Sequence, residues 1–560
     1  MKRFLLSITI FAFIATPISY LHAGGPKWMK NATKSLLTLY AIQQKGDTLQ
    51  SNAFYLDDRG TVVAPFKSIQ SALSAWVVDN EGNRIDVSRI EGFNSTYDVV
   101  RLKTKRGKKK SVFLPVCTEA ATVGTPLYLM PKGDADEVVQ VEKAGEYGYY
   151  TLKSKAEPQL AGFPVINESG TVSAIVQTPI LTSTSPCYAL DIRFVQGLSI
   201  RPMDANHSDL RNCHIPKQLP NDEAQATSFL YIVSATNTDM LKIYIEDFIK
   251  AFPKSITGYI QKAETEFAAK HYEAAEQAYK EGLAQQTGHD DELYYSRSRC
   301  IYNAVLSNNG NDTETHTLSH ALTDISEAQR IHSQPLYTLH EAHILFAMKR
   351  FDEAYNKYMA VAQSKMRSAE TFMYAWQCKR NMGGDDKAAL AQELLTLNDS
   401  AMACFSKPYN LEAAPYLLLR SNTLTEMGRL RDAITDLNDY EHLMQGRLTA
   451  QFYYQREQLE VKTRMYGPAV NDMQKAISLS PDESVYHAEL ASLLYRLNDL
   501  ESATAECRKA IELDDTFPDA YRLLGICLRE KGDKAGAKRN LQKAIDLGDE
   551  LAKGILEKIK

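Results

Sequence analysis

Alanine recurs at a fixed interval towards the C-terminus of this 560-residue chain. Ala469, Ala503 and Ala537 lie 34 residues apart, and a second alanine follows each of them after seven residues, at Ala476, Ala510 and Ala544. A fixed period of roughly 20–50 residues is typical of repeat architectures, in which each unit covers the apolar face of its neighbour. Small side chains at fixed places allow paired helices to cross closely. The second half of the chain is therefore predicted to be an array of helical repeats.

Other positions follow the same period. Residues 473, 507 and 541 are packing residues four places after the first alanine, and Pro481 lies at the junction between two repeats. This pattern resembles the tetratricopeptide repeat, a pair of antiparallel helices. Weaker upstream copies, such as those around Ala275, Ala354 and Ala433, extend the resemblance to about eight repeats over residues 225–552, with 553–560 as a tail. Alanine-rich helical hairpins outside that family are the alternative.

The resemblance also implies a binding groove, lined by the first helix of each repeat. Aromatic, amide and basic side chains occupy the groove positions, and this lining suits a peptide or protein segment. The candidates are Phe267, His343, Phe346, Arg380, Asn422, Tyr454, Tyr495, Arg522 and Arg529. The Lys/Asn set of the family's carboxylate-clamp members is not found. The alternative for each candidate is that it only packs between repeats.

The first part of the chain has a different pattern. From Gly24 to about residue 215, short β-type runs such as residues 53–56 and 98–102 are separated by turn sequences such as Asp58-Arg59-Gly60. Many short strands at this spacing predict a β-barrel or β-sandwich.

Three segments of this part, near residues 53–68, 96–103 and 158–177, resemble those of a trypsin-like serine protease in the same order. The resemblance implies an all-β trypsin-like double barrel, followed here by the all-α repeat solenoid. It also assigns the three catalytic positions. Lys67 stands in place of the general-base histidine, Asp98 at the position of the orienting aspartate, and Ala161 in place of the nucleophilic serine.

These replacements predict that protease chemistry is lost. The mechanism needs a nucleophile, an imidazole and a carboxylate in contact, and of these groups Asp98 alone remains. We therefore expect a pseudoprotease without catalytic residues, metal or cofactor. The alternative is a serine hydrolase of another arrangement, in which Lys67 acts as base to Ser68 or Ser169. A β-barrel of a different family is also open.

Residues 1–23 have the pattern of a secretory leader. Lys2-Arg3 precedes an apolar run from Phe4 to Ile18, and Ala23 supplies a small residue for cleavage. The chain is therefore expected to be exported, periplasmic or secreted in a bacterial envelope, without an integral membrane span after the leader is removed. A retained membrane anchor is the alternative.

The boundaries and the charge complete the prediction. The leader would be followed by the β domain over 24–215, a linker at 216–224 and the repeats. A formal net charge of −5 is mild for this length and gives no case for nucleic acid as a partner. The expected function is that of an interaction scaffold with protein or peptide partners, and the oligomeric state is left open.

Overall fold

A computed structural model describes residues 26–105, 112–179, 185–308 and 316–559. The predicted leader, residues 1–23, lies outside them. The chain divides into two compact units, the first ending at Thr287 and the second beginning at Gly288. No helix of the described residues is long and apolar enough to cross a membrane.

Twelve strands of the first unit form two closed barrels of six antiparallel strands each. The first barrel has the order β1-β2-β3-β6-β5-β4 and is built from β1 Leu36–Gln43, β2 Thr48–Tyr55, β3 Thr61–Ala64, β4 Ala72–Asp79, β5 Arg84–Asn94 and β6 Val99–Thr104. The second has the order β10-β11-β12-β9-β8-β7 and is built from β7 Pro126–Leu129, β8 Asp134–Ala144, β9 Tyr147–Lys155, β10 Pro164–Asn167, β11 Val172–Val176 and β12 Pro186–Asp191. Two short helices, α1 Met29–Ser35 and α2 Ile192–Gln196, flank the strands.

Alternation of apolar side chains explains the barrels. In β1, Leu37, Leu39 and Ala41 are all buried inside the first barrel, as a period of two requires. A separate apolar cluster joins the barrels. It combines residues of the first barrel with residues of the second, including Phe54, Val63, Val99, Ile166, Ile175 and Leu190.

Two helices continue the core of the first barrel. Phe229 and Leu230 of α3 (Glu223–Thr236) and Phe248 of α4 (Thr238–Ala251) belong to the same apolar cluster as the barrel strands. The expected linker at 216–224 also contacts the barrel, because the N–H and C=O groups of Ile90 bond to residues 216 and 218. The structure thus places the expected linker against the first barrel, and the two compact units divide at residue 287.

Eight successive helix pairs follow in the described residues, one in the first unit and seven in the second. We call them the array. They are α5 Ile256–Ala268 with α6 Tyr272–Leu283, α7 Asp290–Ser307 with α8 Leu318–Ile331, α9 Pro335–Ala347 with α10 Phe351–Ala362, α11 Ala369–Met382 with α12 Lys387–Met402, α13 Ala414–Glu426 with α14 Leu430–Met444, α15 Ala450–Lys462 with α16 Tyr466–Leu479, α17 Ser484–Arg496 with α18 Leu500–Leu513, and α19 Pro518–Glu530 with α20 Lys534–Asp546. A short helix, α21 Glu550–Leu556, reaches into the expected tail.

The alanine repeat has the physical role expected of it. Ala469, Ala503 and Ala537 are completely buried, each in the second helix of its pair. The predicted fold class, an all-β double barrel followed by an all-α repeat array, is confirmed.

Candidate functional site

Lys67 and Asp98 meet at the end of the first barrel. Lys67 lies in a single 3₁₀ turn, Phe66–Ser68, after β3, and Asp98 directly precedes β6. The backbone N–H of Lys67 donates a hydrogen bond of 2.8 Å to Asp98 Oδ1. Asp98 is 8% exposed, and its Oδ2 has no hydrogen-bond partner among the described residues. Its φ of 44° is a left-handed conformation, which short polar side chains tolerate best.

The side chain of Lys67 does not replace the missing imidazole in this geometry. It is exposed, and its ammonium group forms no ion pair in the part of the chain that the structure describes. Lys67 therefore contacts Asp98 through its backbone. A side chain that acts as base must instead lie within hydrogen-bond reach of the proton that it takes.

The backbone N–H and C=O groups of Ala161 are both engaged in hydrogen bonds within the protein. Residues Pro158–Leu160 form a 3₁₀ turn, and the N–H of Ala161 donates to the carbonyl of Pro158 at 3.3 Å. The carbonyl of Ala161 accepts a bond of 2.9 Å from Nδ2 of Asn52. An oxyanion site needs N–H groups aimed at the reacting oxygen. The N–H of residue 161 is engaged within the turn instead.

The next residue places this turn against the first barrel. Gly162 has a φ of 86°, and a Cβ built on it would stand 2.5 Å from the carbonyl oxygen of Asn52 and 2.8 Å from Cδ of Pro65. Pro65 is two residues before Lys67. The structure thus brings the segments that carry positions 67, 98 and 161 together where the two barrels meet.

The two serines considered as alternative nucleophiles bond elsewhere. Ser68 is 7% exposed, and its Oγ donates to the carbonyl of Pro65 at 2.5 Å. Ser169 lies in the turn between β10 and β11, where its Oγ donates to Asn167 Oδ1 at 2.8 Å. Among the described residues, neither serine bonds to a group that could serve as its base.

In the array, two of the predicted groove residues belong to an aromatic cluster. Nδ1 of His343 lies 2.7 Å from the hydroxyl of Tyr358, and burial lowers the pKa of this histidine. The ring of Phe346 packs edge-on against those of Phe351 and Tyr374. Both residues thus take part in packing between helices.

The predicted basic groove residues form ion pairs. Arg380 binds both carboxylate oxygens of Glu426, at 2.6 and 2.9 Å. Arg522 bonds to Asp519 and Asp549, and Arg529 bonds to Glu530.

The other predicted groove residues are placed as follows. Asn422 is exposed, Tyr495 is half-buried, Tyr454 packs against Tyr486 at 5.4 Å between ring centroids, and Phe267 packs against Tyr272 at 5.1 Å.

Two ion pairs that involve buried aspartates were missed from the sequence. Arg420 binds Asp436 and Arg456 binds Asp472, each through two hydrogen bonds between the two helices of one repeat. Both pairs span 16 residues, and they lie 36 residues apart. An arginine followed by an aspartate at this spacing in consecutive repeats is a signal that could have revealed them.

Two buried glutamates were also missed. Glu457 is completely buried and Glu460 is 3% exposed, and each has one carboxylate oxygen without a hydrogen-bond partner among the described residues. Burial raises the pKa of each to about 7. In the next two repeats the position of Glu457 is occupied by Ala491 and Gly525, so the repeat pattern alone predicts a small residue there.

Comparison with known proteins gives partial matches. The chain is 32% identical over 87 residues to the E3 ubiquitin-protein ligase CHIP of Arabidopsis thaliana. This match covers 16% of the chain and 31% of that relative. The chain thus spans about a third of the relative's length. Among solved structures, the Rv3671c protease from M. tuberculosis in its active form aligns with a TM-score of 0.27 at 14% identity, over 31% of this chain and 82% of that one.

YrrB, a TPR protein with an unusual peptide-binding site, aligns with a TM-score of 0.30 at 17% identity, over 36% of this chain and 97% of that one. A family model described as tetratricopeptide repeat matches residues 486–517, which span helices α17 and α18. This match identifies a tetratricopeptide repeat in the array.

Proposed function

We propose that this protein is an exported scaffold of the bacterial envelope, which binds other proteins through its array and carries a catalytically inactive trypsin-like domain. The backbone and side chain at position 161 carry the proposal. Ala161 supplies no nucleophilic atom, and its N–H is bonded to Pro158. A trypsin-type mechanism requires both a nucleophile and amide donors for the oxyanion.

The remaining catalytic positions support the same conclusion. Asp98 binds the backbone of residue 67 rather than an imidazole, and the exposed Lys67 side chain has no described partner that it could activate. Ser68 and Ser169 are hydrogen-bonded to other groups. A serine hydrolase of unusual arrangement is therefore the less supported function.

The array supports a role in holding protein segments. Stacked helix pairs present an extended surface, on which side chains of successive first helices can contact one peptide. Asn422 is exposed on α13, and Tyr454 is half-buried on α15. If the junction of the barrels also binds a partner, joining the two sites in one chain raises the effective concentration of the second partner.

Site-specific photo-crosslinking in the source cell tests the binding role. A photoreactive amino acid is placed at Asn422 in the first helix of one repeat and, as the matched control, at the exposed Thr435 in its second helix. We expect crosslinked protein adducts at position 422 and few at 435. Equal crosslinking at both positions, or none at 422, would contradict a groove on the first-helix side.

Export is tested separately. If residues 1–23 are a cleaved leader, N-terminal sequencing of the protein purified from its source should begin at Gly24. A chain that retains Met1 would contradict cleavage.

A further inference from the structure

The repeat formed by α15 and α16 contains a charge where the next two repeats have small residues. Glu457 is completely buried, whereas Ala491 and Gly525 hold the matching positions, 34 and 68 residues further along. A buried carboxylate is costly unless it is paired or hydrogen-bonded. Its local partners therefore need to be accounted for.

The bonds of Glu457 leave one oxygen unsatisfied. Its Oε2 accepts a hydrogen bond of 2.7 Å from Nε2 of Gln458, and its Oε1 has no partner among the described residues. Glu489 of α17 is half-buried, and its negative charge, after burial itself, raises the pKa of Glu457. Among the described residues neither carboxylate has an oxygen within 4.0 Å of a lysine, arginine or histidine nitrogen.

Neighbouring arginine side chains do not form ion pairs with these two acids. Arg456 is held by Asp472 and Glu441 at 2.7 Å each. Arg496 lowers the pKa of Glu457 and Glu489 from a distance, but its guanidinium lies towards the ring of Tyr466, 5.9 Å from the centroid, and forms no ion pair with either. Glu457 lies three residues after Tyr454 on α15 and Glu489 three residues after Tyr486 on α17, and neither acid has a paired cation among the described residues.

Aromatic rings adjoin these acids. Tyr454 of α15 and Tyr486 of α17 pack at 5.4 Å between ring centroids, and the pKa of the Tyr454 hydroxyl is raised by burial and by both Glu489 and Glu457. Tyrosine faces attract a cation, and carboxylates pair with it. Tyr454, Gln458 and Glu489 are only half-buried, so this place is open to solvent in part.

We propose that Glu457 and Glu489, together with Tyr454 and Tyr486, bind a lysine or arginine side chain of a protein segment held by the array. This inference rests on the proposed function in one respect, namely that the array binds protein segments. The cation would satisfy the unpartnered oxygen of Glu457 and offset the negative charge of the acids.

Selection of peptides on the full-length protein tests the proposal. A phage-displayed library of random dodecapeptides is selected on the wild type, on Glu489→Gln and on Glu512→Gln, the last being a control at an exposed glutamate of α18. We expect lysine and arginine to be enriched at one position of the peptides bound by the wild type and by Glu512→Gln. The enrichment should be lost on Glu489→Gln, whose folding is checked by circular dichroism.

The possible failures are distinguishable. Peptides selected without a basic preference, or with the same preference on Glu489→Gln, would overturn this inference and leave the proposed function standing. Failure of the wild type to select any peptide would overturn both.

Proton release provides a second readout. Glu457 has a pKa of about 7, so a bound cation should displace its proton at pH 6.5. Calorimetry of a selected peptide in buffers of different ionisation enthalpy should show release of up to about one proton, and none with Glu457→Gln. Equal proton release by the wild type and Glu457→Gln would contradict a site at this carboxylate.

Discussion

The backbone N–H of Lys67 donates a hydrogen bond of 2.8 Å to Oδ1 of Asp98. Asp98 thus anchors the turn that follows β3 through the backbone of Lys67, whose side chain carries no imidazole. Its second oxygen is buried and unpartnered in the described structure. The Asp98 carboxylate thus has a structural role in this turn.

Replacing Asp98 tests this structural role. Asp98→Ala removes the acceptor of the Lys67 N–H and places alanine at a φ of 44°, so we expect a loss of about 1–3 kcal/mol in the free energy of unfolding. Asp98→Asn retains an acceptor and tolerates this backbone, and it should cost clearly less. Denaturant titration measures both, and equal losses would contradict the assigned role.

Introducing histidine at position 67 and serine at position 161 should not confer catalysis. In the double variant Lys67→His/Ala161→Ser, the N–H of residue 161 would still be bonded within the turn that contains Pro158. We expect this variant to show no hydrolysis of peptide esters above the wild type, because the oxyanion donor is not available. Activity that rises by more than about tenfold would show that the turn opens readily.

The buried ion pair of the α15–α16 repeat should matter for stability. Arg456→Met leaves Asp472, 2% exposed, without its bidentate partner, and we expect a loss of about 3–5 kcal/mol. The double variant Arg456→Met/Asp472→Leu should recover part of it. Lys509→Gln, which breaks an exposed pair with Glu512, should cost less than about 0.5 kcal/mol. Thermal unfolding of the full chain compares them, and no recovery in the double variant would contradict the pairing.

The turns between paired helices offer a stabilising change. Arg464, Asn498 and Gly532 occupy matching positions 34 residues apart, with φ of 61°, 62° and 87°. Arg464→Gly removes left-handed strain and should stabilise the chain by about 0.5–1 kcal/mol, after the added entropy of the unfolded glycine. Asn498→Gly should be nearly neutral, because asparagine tolerates this conformation. Denaturation midpoints measure the stability of both variants. Destabilisation by Arg464→Gly would contradict the expectation.

Glu460 should contribute a loss of stability as the pH rises towards neutrality. The pKa of Glu460 is raised from 4.5 to about 7 by burial, and next by Asp472, while Arg456 opposes the shift. Glu460 therefore keeps a proton in the folded chain that it loses in the unfolded chain, and its contribution to stability falls between about pH 4.5 and pH 7. Glu460→Gln should make this decline shallower, whereas Glu512→Gln should not. Urea midpoints from pH 5 to pH 8 measure the slopes, and identical slopes in the wild type and Glu460→Gln would contradict it.

The fold was largely predictable from the sequence because its signals are local and periodic. Ala469 and its counterparts predicted paired helices, since a close crossing requires a small side chain. The packing of Phe229 and Phe248 against the first barrel was not predictable, because the helical pattern shows which face is apolar but not what covers it. Glu457 was missed for a related reason, since its burial depends on the neighbouring helices.

The candidate site was predictable in its residues but not in its bonds. The resemblance to trypsin-like proteases assigned Lys67, Asp98 and Ala161 to the catalytic positions, and the structure brings the segments that carry them together. The bond from the Ala161 N–H to Pro158 and the bond from Asn52 to the Ala161 carbonyl depend on the three-dimensional path of the chain.

The central proposal, that the double-barrel domain has no serine chemistry, is tested most directly by intact-protein mass spectrometry after incubation of the full-length protein with a serine-reactive fluorophosphonate. We predict that incubation with the reagent leaves the mass of the wild type unchanged, and likewise the masses of the Ser68→Ala and Ser169→Ala variants. The account would be contradicted if the reagent added one phosphonate group to the wild type but none to the Ser68→Ala or the Ser169→Ala variant.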